Sequence, residues 1–315
     1  MVAHGDFVPL VRPATERPLS QEALGKKGSL ASLPMQLNTM IRDQLSISTW
    51  LALGAVTQAV LFSIMGWRVF LPPAFLLLFR AVDTALVLVG FKHNAFMDGV
   101  LLNKYSAQFP DSQGRFGSSP ANEKVVCFLI GSRSNHPMGM FAPGVKTIGD
   151  YFESMTTYLD SHADEFGYLG AATWIATDRE TKNERMANMY FRNHEGLHKF
   201  AHHDMHRQGW NWWNKTVSDH PHIGIWHEVY VAPKGNWESI YINSAPTGLA
   251  ATTFTVEPSE KAEGTAPGER SFASPIVDAR GGLLKTSAGR MSRSQGTEHD
   301  SYNNDPYENY GKLGY

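Results

Sequence analysis

Polar and apolar positions divide the chain into five stretches. Residues 1–45 are mostly polar and carry Pro9, Pro13, Pro18 and Pro34, which interrupt any long helix, so a largely flexible N-terminus is expected. From Gln44 to Trp67 no residue is charged, and after Arg68 a second apolar run extends from Val69 to Phe91. About 20 apolar residues at 1.5 Å each cross a hydrocarbon core of about 30 Å. Residues 46–92 therefore read as a membrane-associated helical hairpin, or as one span followed by a re-entrant helix. Trp50 and Trp67 mark the ends of the first run, where amphipathic rings favour the water–lipid boundary. Arg80 and Asp83 are three apart and share a helical face. A bare charge is costly in lipid, so the two should pair or face the neighbouring helix. Two helices buried in a soluble core would show similar apolarity, but an uncharged run of this length is uncommon there. Lys26, Lys27 and Arg42 before the hairpin, with Lys92 and Lys104 after it, favour both ends in the cytoplasm.

Residues 93–122, which become Gly/Ser/Pro-rich from 106, predict a linker. A folded domain is expected over 123–246. Glu123–Arg133 encloses a short apolar run, hence a buried strand. Ile148, Tyr151, Phe152, Met155, Tyr158 and Leu159 have helical spacing within 148–166. Strands follow at Ala171–Thr177 and Arg185–Arg192, a second helical stretch at Glu195–Val217 with a bend near His203-Asp204, and a fourth strand at Gly224–Ala232. Trp237–Asn243 predicts an additional edge strand. The order β-α-β-β-α-β is that of a ferredoxin-like α+β unit. Its helices cover one sheet face. The other would expose apolar area costing about 25 cal/mol per Å², so a homodimer is expected to close it. Residues 247–315, rich in Gly, Ser and Pro without apolar periodicity, predict a disordered tail.

Composition narrows the chemistry. With 28 Lys+Arg against 30 Asp+Glu there is no basic excess to suggest nucleic acid. A single cysteine, Cys127, excludes internal disulfides and thiolate metal clusters. Gly131-Ser-Arg-Ser-Asn-His-Pro137 follows the first strand but fits neither the dinucleotide nor the P-loop fingerprint. No Gly-x-Ser-x-Gly elbow is present. Eight of the 13 histidines lie between His194 and His227, so imidazole chemistry is the natural place to look. His194, His198, His202 and His206 recur every four residues, a spacing that can bind metal on an unbroken helix. The bend and the lack of a companion carboxylate favour a polar helix face instead. His206, His227 and His136 are the individual candidates for catalysis, His136 reaching the pocket mouth together with Asn135. His227 alternates with Ile225, Val229 and Val231 and should share their sheet face. Trp174, Tyr190, His198 and Trp210 are expected to line the same pocket, although histidines and aromatics at these spacings commonly serve as core.

Three segments carry a family resemblance: Phe128-Leu-Ile-Gly-Ser-Arg-Ser-Asn-His-Pro-Met-Gly-Met-Phe-Ala-Pro-Gly144, Tyr190-Phe-Arg-Asn-His-Glu-Gly-Leu-His-Lys-Phe-Ala-His203, and Trp212-Trp-Asn-Lys-Thr with His220-Pro-His-Ile-Gly224. Over roughly residues 40–250 the chain resembles the fungal monooxygenase-like family of secondary-metabolite clusters, of the antibiotic-biosynthesis type found in the fumagillin pathway. The resemblance implies a dimeric α+β barrel that oxygenates an apolar terpenoid or polyketide with molecular oxygen, without an obvious flavin or nicotinamide site. It does not by itself distinguish an active enzyme from a membrane-tethered small-molecule binding protein on the same barrel. The segment Phe200-Ala-His-His-Asp-Met-His206 also resembles the helix bearing the proximal haem histidine of aldoxime dehydratases. Carried over by position, His206 would be the axial ligand if haem is bound.

Overall fold

The computed structural model describes residues 6–18, 41–42, 44–176, 184–257 and 270–292. The apolar segment forms α1 (Ile47–Met65) and α2 (Leu71–Leu88). Ser46 caps α1, its hydroxyl accepting from the Thr49 amide at 3.2 Å. Gly66, at φ 63°, ends the helix in a conformation that a Cβ would strain. The 3₁₀ segment Gly66–Phe70 then turns back on α1: the Gln58 amide donates to the Val69 carbonyl, and Phe62 meets Phe70 at 5.7 Å. Pro72 and Pro73 fall in the first turn of α2, where a missing N–H costs nothing. No residue of either helix is buried. The stretch Ile47–Leu88 is long and apolar enough to cross a membrane by length and composition. Asp83 pairs with Lys92, beyond the helix, rather than with Arg80. The lysine reaches back from the end of α2, an arrangement that helical spacing could not reveal.

The segment expected to be a linker instead contains β1 (Leu101–Ala107), much of it buried. The ferredoxin-like unit follows: β2 (Val125–Ser134), α3 (Val145–Ser161), the single turn α4 (Ala163–Phe166), β3 (Tyr168–Ile175), β4 (Glu184–Phe191), α5 (His194–Ala201), α6 (Asp204–Thr216) and β5 (Ile223–Ala232). Its four strands are antiparallel in the order β3-β4-β2-β5. The register pairs Ile130 with Ala187 on one side and His227 on the other, so these three side chains share a face. That face packs on the helices through Val126, Ala187, Met189, Phe191, Leu159, Phe166 and Phe200. The helices cover β3, β4 and β2 but stop short of the edge strand, where Ile225, Val229 and Val231 stay exposed.

The opposite face is partly closed by the chain itself. β6 (Tyr241–Ser244) does not extend the four-stranded sheet; it pairs with β1, whose other edge takes β9 (Ile276–Asp278). A second ribbon joins β7 (Phe254–Val256) to β8 (Ser271–Ala273), and the single turn α7 (Ser287–Arg290) follows. Tyr105, Phe109, Trp237, Leu249, Phe254 and Ile276 form a core against Val125 and Leu169 at one end of the larger sheet. The expected disordered tail is thus ordered within 247–257 and 270–292, and the rest of it lies outside the described residues. The N-terminus is corrected as well. Within 6–18, Leu10 donates to the Ile276 carbonyl at 3.0 Å, and Ala14 and Phe272 exchange two hydrogen bonds of 2.8 Å. Isolated β7, β8 and β9 have only three residues each, too short to leave a periodic signature; pairing partners far away in sequence make them strands.

Candidate active site

The predicted bend is a discrete break. Asn193 caps α5 by accepting from the Gly196 amide at 2.7 Å. His203 takes an extended conformation and caps α6, its Nδ1 accepting from Met205 N at 3.2 Å. This break splits the histidine stripe. His194 and His198 on α5 stay together with His202 at its C-cap, with ring separations of 5.8 and 4.4 Å, while His206 belongs to the first turn of α6. No group of three His, Cys, Asp or Glu residues able to hold a metal occurs among the described residues.

His206 faces Phe200 edge-on at 5.9 Å. Its Nδ1 is buried and has no hydrogen-bond partner among the described residues. Burial lowers its pKa below the ordinary histidine value, the Ala201 carbonyl opposes this, and the His202 and His227 rings depress it further. His227 stands nearby on β5, tilted against Phe128 at 5.6 Å. The structure therefore brings His206 and His227 together beside Phe128 and Phe200, at the uncovered edge of the helix-side face. A neutral imidazole there is suited to removing a proton from a weak carbon acid, because the neutral form is the one the burial favours.

The other predicted site residues are dispersed. His136 clusters with His222 at 5.1 Å, and His222 with His220 at 5.9 Å. Each ring has one nitrogen committed to backbone: His136 Nδ1 accepts from Met138 N, His220 Nδ1 donates to the Thr216 carbonyl, and His222 Nε2 donates to the Pro143 carbonyl. Five residues of extended chain separate His222 from His227, about 16 Å at 3.3 Å each, so this trio belongs to the other end of β5. Asn135 goes with it, its amide donating to the His222 carbonyl at 2.7 Å. Trp174 and Tyr190 are placed by the register on the face opposite His227, a correction to the single pocket expected from sequence. His198 and Trp210 are exposed on the outer surface of the helices.

The opposite face carries a polar cluster that sequence reasoning missed. Cys127 Sγ donates to Asn188 Oδ1 at 3.0 Å, and Asn188 Nδ2 donates to the Tyr190 hydroxyl at 2.9 Å. Burial pushes the Tyr190 phenol up to about 12. Further along, Glu184 accepts from Arg133 and from the Trp226 indole, both at 3.0 Å. Trp226 lies so close over Gly131 that a Cβ there would stand 2.3 Å from the indole. Matched alternation on the paired strands was the available signal for these contacts, but register is needed to use it. A concavity of about 480 Å³ between α3 and the start of α6 is lined by Asp150, Glu153, Tyr158 and Met205 among others. It contains none of the predicted site residues.

Comparison with known proteins supplies the family. The profile of the Monooxygenase af470-like family matches residues 125–249, which is the ferredoxin-like unit and its first extension. Monooxygenase af470 of Aspergillus fumigatus is 30% identical over 287 residues, covering 90% of this chain and 97% of that protein. Among solved structures, a variant of SnoaB, a cofactor-independent oxygenase from Streptomyces nogalater, aligns at 10% identity over 33% of this chain and 90% of its own, with a TM-score of 0.23. An aldoxime dehydratase in complex with butyraldoxime aligns at 12% identity over 46% of this chain and 41% of its own, with a TM-score of 0.34. Identity of this extent, over nearly the whole of both chains, means that the chain belongs to the fungal af470-like monooxygenases.

Proposed function

We propose that this monooxygenase oxidises an apolar terpenoid or polyketide intermediate of fungal secondary metabolism, without flavin or nicotinamide, at the groove between the first turn of α6 and β5. The observation carrying the proposal is His206: half-buried, shifted toward its neutral form, with a buried Nδ1 that no protein group satisfies. It acts as general base on an activated C–H of the substrate. The resulting carbanion reduces oxygen directly: a CH₂ group and O₂ yield a carbonyl and water, one oxygen atom going to each product. His227, beside it, holds the developing oxyanion. Phe128, Phe200, Ile225 and Val229 supply the apolar walls that an uncharged substrate needs.

On the cofactor-free reading, purified protein should be colourless, without stoichiometric iron, and should consume oxygen when given an anthrone-type carbon acid as probe. A Soret band lost in His206→Ala would replace this mechanism with a haem one. Absence of oxygen uptake with every apolar carbon acid tried, combined with tight binding of the same compounds, would favour the non-catalytic binding protein.

The same reading places the protein at a membrane through Ile47–Leu88, with the catalytic unit on the cytoplasmic side, and as a homodimer closing the rest of the open face around exposed Trp174 and Tyr230. Full-length protein is expected to stay with membranes through carbonate washing. Release into the soluble fraction would refute the anchor, and a monomeric mass in detergent would refute the dimer.

A further inference from the structure

Around Met138–Met140, three side-chain bonds to the backbone hold the loop leaving β2. Gln44, three residues before α1, donates from Nε2 to the Met138 carbonyl and accepts at Oε1 from the Met140 amide. His136 Nδ1 accepts from the Met138 amide at 3.1 Å. Gly139, at φ 51°, lets the loop come this near; a Cβ there would lie 2.6 Å from Gln44 Oε1. With its backbone so fixed, the loop turns Met138 and Phe141 outward, each 54% exposed. At the other end of the apolar segment, Phe91 and Phe96 are 86% and 93% exposed. Between them Lys92 pairs with Asp83, and the His93 ring meets the Asp98 carboxylate.

One exposed apolar side chain needs no explanation. Here four of them flank both ends of a long apolar helical segment, and one pair is tied to it by the Gln44 clamp. Large apolar side chains beside a membrane segment gain free energy by entering the boundary region of the lipid. We propose that Met138 and Phe141, with Phe91 and Phe96, form a collar lying in the headgroup region of a phospholipid bilayer, so that the β2–α3 loop of the catalytic unit rests on the lipid surface. This inference rests on the membrane anchoring proposed above. It adds that the catalytic unit is not merely tethered but docked in a fixed orientation.

Single nitroxide labels in the full-length chain reconstituted into phosphatidylcholine vesicles test it. Cys127→Ser supplies the background, with labels at Phe141→Cys, Phe96→Cys, Val56→Cys on α1 and Lys199→Cys on α5. At positions 141 and 96, collisions with oxygen are expected to exceed collisions with a water-soluble nickel chelate severalfold, though less than at 56; at 199 the order reverses. Nickel access at 141 and 96 equal to that at 199, with 56 still oxygen-dominated, would overturn the collar while leaving the anchor in place. Protection of 141 from both reagents would overturn it in favour of a protein partner. Nickel access at 56 as well would bring down the anchor and the collar together.

Discussion

The two faces of the four-stranded sheet are built from the same strands by different means. The helix-side face is nearly all apolar, and its few polar side chains include two imidazoles left at an uncovered edge. The opposite face satisfies its polar groups internally, Cys127 with Asn188, Asn188 with Tyr190, and Glu184 with Arg133 and Trp226. Buried polar groups normally have partners. A face whose polar atoms are already engaged has little left for a ligand. An apolar wall with an unsatisfied ring nitrogen has both room and capacity. That difference, rather than the abundance of histidine, is the ground for proposing the chemistry at the helix-side face.

The comparison breaks most easily at His206. His206→Ala is expected to lower turnover by about 10²–10⁴-fold if the residue is the general base, with unchanged circular dichroism, whereas Trp174→Phe on the opposite face should leave turnover at the wild-type value. Comparable losses in both variants would mean that the two faces share one site. Stability offers the next test. Phe166→Ala in the helix-side core and Trp237→Ala in the second core should each cost about 3–5 kcal/mol, both side chains being buried. A single urea transition lowered by either substitution shows that the smaller sheets belong to the same cooperative unit; two transitions would separate them.

The pH profile gives a smaller effect. Because burial lowers the pKa of His206, the acid limb of kcat/KM should fall below the free imidazole value of about 6.5. The linked stability has a definite sign. With the folded pKa below the unfolded one, the unfolded chain binds more protons in between, so stability is lost as pH falls from about 6.5 through the folded value. Urea titrations of wild type and His206→Ala should converge at acid pH and separate above it. Least of all, Glu184→Gln should cost about 1 kcal/mol, since it removes the Arg133 ion pair yet can keep the Trp226 bond, and oxygen uptake should not change.

Much of this architecture was legible in the residues. The alternation Ile225, His227, Val229, Val231 placed His227 on the correct face, and the polar His-His-Asp sequence at 202–204 marked the helix break. Pocket membership was not legible in the same way. Trp174 and Tyr190 lie on β3 and β4 of the same sheet as His227, and only the register, Trp174 against Met186 and Met186 against Gly131, shows that they point away from His227. The linker and tail were misread for a related reason. β1 and β9 pair across about 170 residues of sequence, Tyr105 with Asp278, and neither has enough internal pattern to announce a partner so distant.

The strap formed by residues 7–14 sets a parity condition on the chain. Leu10 is bonded to Ile276 of β9, and β1, which follows α2, is bonded to the same β9, while Ala14 is bonded to Phe272 of the neighbouring β8. Chain before and after the apolar helices is therefore sewn into one small sheet and cannot be on opposite sides of anything. A bilayer that receives Ile47–Leu88 must be crossed an even number of times, either by α1 going in and α2 coming out or by neither helix passing through. One traverse by one helix would require the sheet to be torn open.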